Sequence, residues 1–284
     1  MSVRTVAKQD FLSARRSRAL WFATTLFALL AVLIAYGSQG YRLSATEQVQ
    51  NTFRSFGMVL AVLLPIVALV ASYMSIAGER ESGGIKFLLS FPNTRRDVFL
   101  GKLASRLAVV AAGLTFIFLA ATAVAVARHG AFPVGVVLGT YLVSLLYGSV
   151  FVAVAVALSS AVGARSRAIG AAVGSYFVLI VLYLVPTIRI TALVQWVHDT
   201  MLGMEPNPHL YDAVTYTSPY IAFRKALNLV LPTEMQQEVF RGSLEAGGEL
   251  PVYLTDEFSL VVFAVWLTVP LVVGYVRFEG SDLE

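Results

Sequence analysis

Six long apolar stretches, at about residues 20–36, 57–77, 107–127, 134–162, 168–185 and 258–276, leave this 284-residue chain few ways to fold. Each is long enough to cross roughly 30 Å of hydrocarbon at about 1.5 Å per residue. Hydrocarbon offers no water to satisfy backbone N–H and C=O groups, so segments that cross it singly are helices. Only 13% of the residues are charged, against roughly 25% in an average soluble chain, and the mean hydropathy is +0.75. A soluble globular enzyme and a disordered chain are both excluded. The expectation is an all-α integral membrane protein, one transmembrane domain over residues 1–284.

Lys and Arg are distributed unevenly about the six stretches. One side receives Arg4, Lys8, Arg15, Arg16 and Arg18, then Arg80, Lys86, Arg95, Arg96, Lys102 and Arg106, then Arg165, Arg167 and Arg277. The opposite short loops hold Arg42, Arg54 and Arg128. By the positive-inside rule both termini are cytoplasmic in a multi-pass cell-membrane protein. The first stretch is longer than a signal-peptide core, and Gly37-Ser38-Gln39-Gly40 offers no small-x-small cleavage site, so an uncleaved anchor is expected. Before it, Val3, Ala7, Phe11 and Ala14 recur at helical spacing among basic residues, the pattern of a helix lying on a membrane surface. The formal charge of +4 is dispersed beside apolar spans, so no nucleic-acid partner is expected; the lipid bilayer is the expected one.

Several chemistries fall away. The centres of the spans contain no Asp, Glu, Lys, Arg or His, which argues against a proton relay or charge-gated channel. His129, His198 and His209 lie outside the spans, which leaves an intramembrane protease without its base or metal, and there is no cysteine. Ser144, Ser149, Ser159 and Ser175 are expected to pack or to bond backbone. No catalytic residue is assigned. Gly135 with Gly139 and Gly170 with Gly174 suit close helix packing within the chain.

The one sizeable polar segment, about residues 188–257, is expected to face outward and to be partly helical near 190–202, 219–231 and 233–244. Its apolar residues suggest packing on the outer end of the bundle. His198, Met201, Met204 and His209 are ligand types that suit copper, but their spacing makes no metal motif, and no metal site is expected.

The most informative stretch is Glu79-Arg80-Glu81-Ser82-Gly83-Gly84-Ile85-Lys86-Phe87-Leu88-Leu89-Ser90-Phe91-Pro92, between spans two and three. Ser82 can cap a short helix, Gly83 and Gly84 allow the turn into it, and Pro92 stops it. Ile85, Leu88 and Leu89 then share one face. Thr94 with Asp97 resembles a capping box, so a helix from about Arg95 can run unbroken into span three.

Here the chain resembles the type-two ATP-binding-cassette permeases, six-span subunits with a Glu-Arg-Glu-x-Gly-Thr-like segment, a Leu-Leu-Ser-x-Pro run and a downstream Gly-Lys. This chain has Glu79-Arg80-Glu81, Gly83, Leu88-Leu89-Ser90, Pro92 and Gly101-Lys102 in that order. Gly84 stands where many relatives have Thr, and Lys86 where an acid is common. Ser218-Pro219-Tyr220-Ile221-Ala222-Phe223 and Ala226-Leu227-Asn228 resemble an outer-loop segment of one branch of the family. The resemblance implies a cytoplasmic coupling helix whose Glu79, Arg80, Glu81, Gly83, Ile85, Leu88, Leu89 and Pro92 meet a separate nucleotide-binding subunit. It also implies a second permease copy or close relative, and outward transport. ATP and magnesium would reside in the partner, since this chain has no GxxxxGK[ST] loop and no cofactor of its own. The competing expectation is a scaffold or sensor that docks a cytoplasmic partner and moves nothing.

Overall fold

The computed structural model describes residues 3–37, 43–85, 94–184, 190–240, 243–244 and 250–280. Among them there are helices and turns but no strand. The described helices are α1 (Val3–Arg15), α2 (Arg18–Gly37), α3 (Ala45–Ser72), α4 (Ala77–Glu81), α5 (Arg95–His129), α6 (Val134–Ala161), α7 (Arg165–Tyr176), α8 (Ile190–Gln195), α9 (Pro208–Tyr216), α10 (Pro219–Asn228) and α11 (Phe258–Glu279). A wide turn at Phe177–Val181 carries α7 on to Leu184. Six helical stretches are long and apolar enough to cross a membrane: Leu20–Gly37, Ala45–Glu81, Arg95–His129, Val134–Ala161, Arg165–Leu184 and Phe258–Glu279.

Two of these helices outrun the apolar stretches that announce them. Helix α3 begins at Ala45, where the Ser44 hydroxyl accepts from Glu47 N–H and the Glu47 carboxylate accepts from Ser44 N–H. Its amphipathic first turns bury Val49, Thr52, Phe53 and Phe56, while Gln50, Asn51, Arg54 and Ser55 stay partly exposed. Helix α5 starts at Arg95 behind the same reciprocal cap, Thr94 with Asp97, and runs unbroken to His129, as the sequence predicts.

Helix α6 is the central post: 72% of its span is buried, against 22% for α2 and for α11. In lipid, helices associate through close contact and polar bonds more than through water exclusion. Accordingly Tyr147 of α6 donates to the Ala61 carbonyl of α3 at 2.7 Å, and Ser160 donates to the Gly274 carbonyl of α11 at 2.9 Å. A Cβ on Gly274 would sit 2.6 Å from the Ala157 Cα, so glycine sets how near α6 and α11 can come. Of the two glycine pairs expected to pack within the chain, only Gly139 does so, against Val230. Gly135, Gly170 and Gly174 have no atom within 4 Å of a would-be Cβ, and Gly174 lines an open apolar groove with Ala157 of α6 and Trp266 of α11.

The segment after α7 folds back on the bundle as expected, and two of its three expected helices form, over 190–201 and 219–228. Helix α8 widens into a looser turn at Trp196–Met201. Helix α9, capped by Asn207, was not anticipated. Helix α10 is buried along its length against α6, α3 and α11. The helix expected over 233–244 does not form as one element: residues 236–240 are extended and 243–244 are helical. After a single turn at Thr233–Met235 the chain extends, because Asn228 holds it: its amide donates to the Gln237 carbonyl at 3.1 Å and its side-chain oxygen accepts from Gln237 N–H at 2.9 Å.

Candidate functional site

The ends of α1, α3, α5, α7 and α11 meet where the basic residues of the sequence concentrate, and the Glu79–Arg80–Glu81 segment lies among them. Helix α3 stops at Ser72, and four turn residues bring the chain to α4. That turn is held by Ser159 of α6, whose hydroxyl accepts from both Ile76 and Ala77 N–H at 3.0 Å.

Each charged residue of the segment holds a different helix. Glu79 accepts from Lys102 of α5 at 2.8 Å. Lys102 also donates to Asp10 of α1 at 2.7 Å, and the same Asp10 oxygen takes a bond from Arg106 at 3.1 Å. The guanidinium of Arg80 lies 5.2 Å from the ring centre of Phe278 on α11. Glu81 accepts from the backbone N–H of Arg165, the first residue of α7. Helix α7 has no side-chain cap of its own, so a carboxylate at its positive end takes that place. Arg95 completes the ring by donating to the Phe278 and Glu279 carbonyls at 2.9 and 2.7 Å.

Lys102 and Asp10 are 4% and 8% exposed. Charges this deep persist only when paired, and removing one partner of such a pair costs about 3–5 kcal/mol. Helix α1 approaches closely enough because residue 101 is glycine: a Cβ there would lie 2.7 Å from Val6 Cβ. The Gly-Lys pair thus seats α1 with its glycine and ties it with its lysine. It does not cradle phosphate, since it sits inside α5 with the ammonium engaged by two carboxylates.

The turn that follows behaves as its sequence suggests. Gly83 adopts φ +74°, a conformation that disfavours residues with a Cβ. Ser82 Oγ accepts from Gly84 N–H at 3.4 Å. A Cβ on Gly84 would meet a Glu79 carboxylate oxygen at 2.3 Å, so glycine lets Glu79 fold over the turn toward Lys102. Ile85, expected on a partner-facing stripe, is 3% exposed and belongs to the chain's own core. Lys86, Leu88, Leu89 and Pro92 lie outside the described residues.

Asp10, Lys102 and Arg106 were not singled out as site residues in the sequence. The available signal was Asp10, the lone acid among the basic residues of α1. Burial there also follows Val6 and Asp10, one position round from the Val3–Ala7–Phe11–Ala14 stripe, because the ion pairs set the helix rotation.

Of the residues considered as metal ligands, His198 is held by its neighbours and both methionines face outward. His198 Nδ1 lies 2.9 Å from the Tyr211 hydroxyl and 3.2 Å from Asp199, and Met201 and Met204 are exposed. No group of three His, Cys, Asp or Glu suited to a metal occurs among the described residues. Tyr211 donates to the Asp199 carboxylate, which holds that carboxyl below its usual range; burial, then the same acid, pushes the Tyr211 phenol up.

Residues 4–283 match the family model described as ABC-2 family transporter protein. The chain belongs to that family. It is 30% identical over 283 residues to the probable ABC transporter permease protein NosY of Pseudomonas aeruginosa, covering 95% of this chain and 93% of the relative. It is 27% identical over 286 residues to the protein of the same description from Stutzerimonas stutzeri, covering 96% of each. It is therefore a multi-pass membrane protein of the ABC transporter permease type, and family membership implies a nucleotide-binding partner.

Proposed function

We infer that this chain is the membrane-spanning half of an ATP-driven exporter, and that the joint around Glu79, Arg80 and Glu81 passes motion from a cytoplasmic ATPase subunit to the transmembrane helices. The observation that carries this reading is that three successive side chains hold three elements: Glu79 the Lys102–Asp10 pair of α5 and α1, Arg80 the end of α11, and Glu81 the start of α7. A push on a segment so wired moves several helix ends together, which suits a bundle that switches between two arrangements. Gly83 and Gly84 supply the turn, and Leu88, Leu89 and Pro92 supply the partner-facing side. Ile85 anchors the segment from within.

In this reading the basic end faces the cytoplasm, and ATP and magnesium belong to the partner. A second copy or close relative completes the permease, and the open glycine face of α7 at Gly170 and Gly174 is available to it.

The test is affinity purification of the tagged chain from native membranes in mild detergent, with partner identification and an ATPase assay. An ATP-binding-cassette subunit in equal amount, lost from Leu88→Asp, is the expected result. A reproducible complex with another partner and no ATPase would overturn the reading in favour of a scaffold or sensor.

A further inference from the structure

On the side of the joint facing α2, a groove of about 510 Å³ runs between α2, α3 and α5. Its two ends differ in chemistry. Ser17, Tyr73, Arg106 and Arg165 line it at the basic end. Phe27, Ile66 and Val67 line it further along. The chain direction of each helix agrees with that division: α2 leaves the basic end from Ser17 to Phe27, while α3 approaches it from Ile66 to Tyr73. Seven residues from Ile66 to Tyr73 put the apolar part roughly 10 Å deeper than the polar part. Ile66 and Val70 are 38% and 64% exposed, so the groove opens sideways toward lipid.

The charge at the rim favours an anion. Within the joint, Asp10 and Glu79 balance Lys102 and Arg106. The guanidinium of Arg165 adds an exposed positive charge that pairs with no acid among the described residues; Glu81 bonds its backbone instead. Arg106 bonds the Ala71 carbonyl and Asp10 through its two terminal nitrogens, and its Nε has no partner among the described residues. Two guanidinium groups, Arg106 three turns into α5 and Arg165 at the start of α7, above an apolar channel parallel to the helices, match a headgroup phosphate joined to an acyl chain.

We propose that this groove is a binding site for one anionic glycerophospholipid, with its phosphate between Arg106 and Arg165 and an acyl chain along Phe27, Ile66 and Val67. The site does not depend on the transport reading. A bilayer lipid reaches it sideways, without passing through the bundle.

The test is native mass spectrometry of the full chain in detergent, with phosphatidylglycerol or phosphatidylcholine of identical acyl chains added. The expected result is one phosphatidylglycerol retained per chain with about tenfold preference over phosphatidylcholine. Arg165→Gln should abolish the preference, and Arg167→Gln, which does not line the groove, should preserve it. Equal retention of the two lipids, or a preference that survives Arg165→Gln, overturns the proposal. Inorganic phosphate is added in a separate arm. Displacement of the lipid by phosphate at equal concentration would reassign the rim to a free anion and likewise overturn it.

Discussion

The two ends of the molecule each bury a lysine against an aspartate, and they use the pair differently. At the basic end Lys102 joins three elements, and its second acid, Glu79, has a side chain 34% exposed on a short helix leading into a glycine turn. At the far end Lys225 of α10 meets Asp256 at 2.5 Å and faces the Phe240 ring, its ammonium 5.1 Å from the ring centre. Around that pair the contacts are aromatic and reciprocal: Phe223 stacks on Tyr147 with ring centres 4.2 Å apart, Tyr216 meets Phe240, and Asn228 grips Gln237. Close-packed rings lose contact energy on small displacements, whereas a few charged bonds between helix ends tolerate reorientation. In the proposed function, the far end is the part that stays packed and the basic end is the part that moves.

The contrast breaks first at the lysines. Lys102→Met leaves Asp10 buried with Arg106 as its remaining cation, and should lower the stability of the purified chain by about 3–5 kcal/mol in thermal unfolding. Lys225→Met exposes a weaker dependence, since the Asp256 side chain is 24% open to solvent, and should cost about 1–3 kcal/mol. Equal losses would mean that the two pairs play one structural role.

Helix seating at the joint gives a smaller effect with a built-in control. Gly101→Ala puts a methyl against Val6 and should cost about 1–3 kcal/mol, and Val6→Ala in the same chain should recover most of it. If the double variant is no better than Gly101→Ala alone, α1 is held by Asp10 and not by that contact.

The smallest effect belongs to the Asp199–Tyr211 link beside Trp196. Because the Tyr211 bond lowers the Asp199 carboxyl, its contribution is present above the unfolded value, roughly pH 4, and is lost as pH falls through the lower folded value. Trp196 fluorescence should change only at that acidic edge, and Asp199→Asn should remove the change. A transition that survives Asp199→Asn would rule the link out as its source.

Much of this architecture could be read from residue order. Six apolar stretches specify six helices because no other single segment satisfies its backbone in hydrocarbon. Thr94 with Asp97 announces the start of α5, and Gly83 announces the turn, since both depend on residues adjacent in the chain. The 79–102 constellation pointed to the family before any contact was known. The helix expected over 233–244 is broken because a distant partner, Asn228, outweighed local preference.

What sequence alone determined, then, is the number of spans, the punctuation of the segment between the second and third, and the family. What tertiary structure decided is who holds whom. Asp10 lies 92 positions from Lys102, Glu81 lies 84 from Arg165, and Ile85 turns into the core instead of outward. Local caps and apolar runs act within a few turns of helix. Pairing of buried charges is settled only when the bundle brings helix ends together and excludes the water that would otherwise solvate them.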